Sequence, residues 1–135
     1  MRRSGRALAA GLLGYSLLAA APGRATEPSA EQLFVANCSA CHQLHGRGVP
    51  KAFPALAGDA LVLGAPEGIV RVLLNGRGGM PNFRAQLDDG QLAAIASYVR
   101  SAWGNQAGAV PPEAFAEARA AQGGVPAEDR GLQAH

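Results

Sequence analysis

The chain has 135 residues, 48% of them hydrophobic and 16% charged, a size that suits one domain. Its formal charge is +2, but four of its twelve basic residues precede Thr26, so from there on eight bases face ten acids and the charge is −2. That balance excludes the basic footprint of a nucleic-acid-binding protein.

Arg2, Arg3 and Arg6 open the chain, and Ala7 to Ala21 is an apolar run interrupted only by small residues, Tyr15 and Ser16. Gly23-Arg24-Ala25 then offers the small residues a signal peptidase reads. At about fifteen residues the run is shorter than the roughly twenty needed to cross a bilayer. Residues 1–25 are therefore expected to be a signal peptide, cleaved near Ala25, leaving an exported, periplasmic protein with no stable membrane span.

Ser29 and Gln32 form a capping-box pattern that starts a helix with Leu33, Phe34 and Cys38 on one side. The helix runs into Cys38-Ser39-Ala40-Cys41-His42, the C-x-x-C-H signature of covalent c-type haem attachment. Two thiols three residues apart on a helix reach one edge of the ring, and the adjacent imidazole turns beneath it to ligate iron. A thioredoxin-like dithiol would need a βαβ context, and a structural zinc site normally takes four ligands, whereas no second Cys pair closes the cage and the imidazoles on offer are His42, His45 and His135. A plain disulfide would leave His42 unexplained. One covalently bound haem c, tethered through Cys38 and Cys41, is the expected cofactor.

Gly46, Gly48, Pro50, Pro54 and Gly58 punctuate a long loop of a kind that a cofactor lets a small domain hold. Pro66 and Gly76 bracket a helix containing Ile69, Val70, Val72, Leu73 and Leu74. A glycine-rich loop to Arg84 follows, and Asp88 with Gln91 begins another capping box. Leu92, Ile95, Ala96, Val99 and Trp103 give that helix an apolar stripe ending at Gly104. No segment alternates as a strand does, so the fold class is all-α. Residues 26–104 read as the domain and 105–135 as an extension. Pro111-Pro112 starts a short helix in it through Glu113 to Ala121, with a poorly ordered end from Gln122.

An iron held by His42 has one axial position left. Met80, the only Met after the leader, lies in Gly76-Arg77-Gly78-Gly79-Met80-Pro81, where glycines let the backbone approach a ring and Pro81 stiffens the far side. His45 is too close to His42 in sequence to reach the other face, and His135 is terminal. With His42 and Met80 both bound, no position is left for oxygen, peroxide or substrate, and the thioether favours ferrous iron. This is a design for electron transfer. The alternative is a haem enzyme or gas and ligand sensor in which Met80 dissociates.

From Glu31 to Gly104 the chain resembles the bacterial His/Met monohaem cytochromes c, specifically at Cys38, Cys41, His42, Pro54, Leu56 and Met80. The resemblance implies the cytochrome c fold, with three to four main helices wrapped around one haem. It implies that Pro54 offers its carbonyl to the His42 imidazole, that Leu56 packs on the ring, and that Phe34 packs against Tyr98 or Trp103. Phe53-Pro54-Ala55-Leu56-Ala57-Gly58 and Asn75-Gly76-Arg77-Gly78-Gly79-Met80-Pro81 look most like cytochrome subunits that take electrons from periplasmic dehydrogenases. The implied partners are such a dehydrogenase as donor and an oxidase or another cytochrome as acceptor. The protein itself would be a carrier, not an enzyme. Between Cys38 and Arg84 bases outnumber acids, so Arg47, Lys51, Arg77 and Arg84 are expected to steer an acidic partner toward the haem edge.

Overall fold

The computed structural model describes residues 26–123, so the expected leader and the end of the tail lie outside the described residues. Six helical segments follow one another: α1 (Ala30–Asn37), α2 (Ser39–His42), α3 (Ala60–Leu63), α4 (Pro66–Asn75), α5 (Asp89–Ser101) and α6 (Pro112–Gly123). Among the described residues there is no strand, only isolated bridges pairing Val49 with Phe53 and Arg77 with Met80. The fold is all-α. Four longer helices carry it, and α2 and α3 are single turns.

The caps legible in the sequence form. Ser29 accepts from the Gln32 backbone N–H at 3.2 Å while its own N–H donates to the Gln32 side chain at 2.8 Å, and Asp88 and Gln91 repeat the exchange at 2.8 and 3.1 Å. Each satisfies backbone groups a helix start would otherwise leave orphaned. Pro66 opens α4, where its missing N–H costs nothing, and Gly76 closes it at φ +74°.

Three details depart from the sequence expectations. The helix reaching the cysteines is not continuous. Cys38 takes φ −124°, ends α1, and its carbonyl accepts from Cys41 and His42 N–H to start α2. Helix α5 stops at Ser101, so Trp103, at φ +55°, is a loop residue although it extends the apolar stripe. The single turn of α3, capped by the Asp59 carboxylate on Leu61 and Val62 N–H, falls inside what reads as loop.

α1 and α5 pack on each other, and their junction is aromatic. Phe34, fully buried, has its ring centroid 5.5 Å from that of Tyr98 and 5.0 Å from that of Trp103, and these two meet edge-on at 5.6 Å. Such tilted pairs add to the area term by matching ring edge to ring face. Helix α6 packs against α4 and α5, and its Phe115 and the preceding Val110 are buried in the same core as Phe34, Leu74 and Ile95. The extension as far as Gly123 is thus continuous with the domain, and its helix starts at Pro112 as expected and runs two residues past the expected end at Ala121.

Candidate functional site

All six residues singled out in the sequence, Cys38, Cys41, His42, Pro54, Leu56 and Met80, line one cavity of about 580 Å³. Its walls are the inner faces of α3, α4 and α5, including Val62, Leu73, Ile95 and Val99, and its volume is that of a cofactor site. A smaller open hollow of about 220 Å³ beside Glu27 and Asp88 holds none of these groups.

His42 is buried, and its Nδ1 lies 3.0 Å from the Pro54 carbonyl oxygen. A carbonyl only accepts, so the proton is on Nδ1 and the Nε2 lone pair is left for a metal. The acceptor fixes the ring and makes it a stronger donor. The Pro54 carbonyl is itself fixed by close packing. A Cβ on Gly48 would stand 2.5 Å from that oxygen and 2.3 Å from the Phe53 oxygen, and Gly48 has φ +62°. Only glycine lets the loop lie this close to its own return segment.

The loop's other end is tied to the chain after α5. Asn105, buried, donates to the Leu56 and Val99 carbonyls at 3.1 and 2.7 Å and accepts from Gly58 N–H at 2.8 Å. Neighbouring Arg100, also buried, donates to the Val62, Gly64 and Gly108 carbonyls at 2.7–2.8 Å. Its cation thereby closes the C-terminal end of α3, where carbonyls point outward. Neither residue was legible as part of the site. A polar side chain in the last turn of a helix or just beyond it reads as solvated until its partners are seen.

Met80 is half-buried and joined to Arg77 by a pair of backbone bonds, Met80 N–H to Arg77 O at 3.0 Å and Arg77 N–H to Met80 O at 3.3 Å. Gly76 makes the turn possible, since a Cβ there would stand 2.5 Å from the Met80 oxygen. His45 is exposed, and His135 lies outside the described residues. Of the four expected steering bases, Arg47, Lys51 and Arg77 are exposed, but Arg84 is engaged with the side chains of Asn75 and Gln122. That contact comes from α6, which the charge count could not anticipate.

The thiols of Cys38 and Cys41 are not joined. Burial, with the Cys41 charge adding to it, pushes the Cys38 thiol up to about 11. A redox-active dithiol needs a thiolate near neutral pH, which this burial disfavours. Among the described residues no three His, Cys, Asp or Glu side chains gather as a metal site. An apolar cavity with two thiols at one side, an oriented imidazole and a thioether is a donor set that fits haem c.

The comparisons agree. The family model described as Cytochrome C oxidase, cbb3-type, subunit III matches residues 25–99, more than half of the chain. The chain is 38% identical over 86 residues to Cytochrome c-552 of Thermus thermophilus, covering 52% of this chain and 65% of that protein. It is 38% identical over 71 residues to Cytochrome c6 of Leptolyngbya boryana, covering 50% of this chain and 82% of that protein. It is also 32% identical over 95 residues to the cytochrome c subunit of Alcohol dehydrogenase (quinone) from Gluconacetobacter polyoxogenes, covering 62% of this chain and 20% of that subunit. The chain thus spans less than two thirds of the Thermus relative and one fifth of the dehydrogenase subunit.

Proposed function

The chain belongs to the cytochrome c family through the domain described as Cytochrome C oxidase, cbb3-type, subunit III, and from that we propose an exported electron carrier with His42 and Met80 as its two axial ligands. Haem c, bound through Cys38 and Cys41, supplies the one-electron Fe(III)/Fe(II) couple. The rest is the work of the chain. The two cysteines fix the edge of the ring, the Pro54 carbonyl holds the His42 imidazole with Nε2 presented, and Leu56, Val62 and Ile95 keep water from the cavity. Met80 on its glycine turn fills the remaining position, leaving no coordination site for a substrate.

The observation that carries this reading is the convergence of Cys38, Cys41, His42, Pro54 and Met80 on one apolar cavity. The leader, residues 1–25, supports export to the periplasm, and no helix among the described residues is long and apolar enough to cross a membrane. A quinone-dependent dehydrogenase is the proposed donor, by likeness to the subunit of that name, and an oxidase or second cytochrome the proposed acceptor. Docking would use the exposed bases Arg47, Lys51 and Arg77 around the exposed apolar side chains of Leu44, Val49 and Phe53.

Carbon monoxide tests the carrier against the sensor or enzyme. Reduced holoprotein with both axial positions filled keeps its spectrum when CO is added. Formation of a CO adduct at stoichiometric gas would overturn the proposal.

A further inference from the structure

We infer that Arg119 is a positioning residue for Met80, holding from α6 the segment that leads away from the ligand; this rests on the reading of Met80 as axial ligand. Arg119 reaches back thirty to thirty-five residues with its whole guanidinium. Nη1 donates to the Arg84 carbonyl at 2.6 Å, Nη2 to the Leu87 carbonyl at 3.0 Å, and Nε to the Asp89 carboxylate at 2.6 Å. The planar fork matches three acceptors in a way a flexible ammonium does not.

The two sides of Met80 are held differently. Upstream, Gly76 N–H donates to the Val72 carbonyl of α4 at 2.8 Å, and Met80 closes the turn through its backbone pair with Arg77. Downstream, Phe83 N–H donates to the Leu73 carbonyl at 2.9 Å and its own carbonyl accepts from Gln86 and Leu87 N–H at 3.2 and 3.1 Å; Ala85 and Gln86 are exposed, and Leu87 turns into the core. Arg119 closes that stretch. The Arg84 side chain bonds to Asn75 of α4 and Gln122 of α6, so this stretch is held to α6 through Arg119 and Gln122 together. Helix α6 has the purchase to do this because Phe115 is fully buried. It also lies beyond residue 99, where the family match ends.

The consequence is kinetic and thermodynamic closure of the sixth position. An external ligand binds iron only in the fraction of molecules whose Met80 loop has opened, so its apparent affinity scales with that fraction. Breaking charge-assisted bonds that exist only in the closed form raises the open population.

Imidazole titration of ferric holoprotein, full chain, tests this in wild type, Arg119→Gln and Ser29→Ala. The Arg119 and Asp89 side chains are 25% and 30% exposed and the bonds to the two carbonyls only part-buried, so water can reach the freed groups and Arg119→Gln should fold. It should bind imidazole about tenfold more tightly than wild type. Ser29→Ala, which loses the α1 cap and touches no part of the loop, should lower stability with imidazole affinity unchanged. Equal affinities in Arg119→Gln and wild type, or a rise in Ser29→Ala matching that in Arg119→Gln, would overturn the inference. The spectrum of the untreated wild type separates the two levels. If its Met–iron charge-transfer band is absent, the ligand reading fails; if the band is present and Arg119→Gln leaves imidazole affinity alone, only the role of Arg119 fails.

Discussion

The imidazole Nδ1 of His42 stands 3.0 Å from the carbonyl oxygen of Pro54, twelve residues on, and Gly48 is the residue whose missing side chain leaves room for that oxygen. The pair couples loop geometry to ligand basicity.

Gly48→Ala should therefore act on the iron without touching it. The added Cβ displaces the Pro54 carbonyl, the imidazole loses electron-donating strength, and the ferric state loses more stabilisation than the ferrous. A redox titration should show the potential rising by roughly 20–60 mV, about 59 mV being a tenfold change in a one-electron equilibrium. An unchanged or lower potential would separate the hydrogen bond from ligand tuning.

Phe34 joins α1 to α5 through Tyr98 and Trp103. Phe34→Ala removes a fully buried ring and should cost about 3–5 kcal/mol in denaturant unfolding of the holoprotein. Phe34→Leu should recover most of that loss by refilling volume.

Asn105→Ala leaves the Leu56 and Val99 carbonyls and the Gly58 N–H without their partner. Thermal unfolding should report a loss of about 2–4 kcal/mol. Asn105→Asp keeps the acceptor for Gly58 but sets a carboxylate against two carbonyls, and at neutral pH it should be no milder.

Much of this was legible beforehand because its signals are local. C-x-x-C-H, the two capping boxes, and the Pro66 and Gly76 boundaries each act within four residues to about a dozen. The Pro54 offset came from a family resemblance, and the 3.0 Å contact agrees with it. What escaped is long-range. Asn105, Arg100 and Arg119 have ordinary surface chemistry in sequence, and only the fold delivers the carbonyls they bind. That Arg84, read as a steering charge, is held by Asn75 and Gln122 was hidden for the same reason, and the break at Cys38 has no proline or glycine to announce it.

Docking by charge predicts a salt dependence. Electron exchange with an acidic redox partner should slow as ionic strength rises, and charge reversal at Lys51 or Arg77 should lower the low-salt rate several-fold. Arg84→Gln should matter less, because its guanidinium is half-buried and held within the fold, out of reach of direct contact with a partner. Stopped-flow mixing across a salt series measures all three, and a rate flat in salt would remove steering from the account.

The most direct measurement is the absorption spectrum of the ferric holoprotein beside that of Met80→Ala. The account predicts a six-coordinate low-spin wild type with a Met–iron charge-transfer band, and a variant that loses the band and opens its iron to external ligands. A wild type that is high-spin at rest, or a band that survives in Met80→Ala, would contradict it.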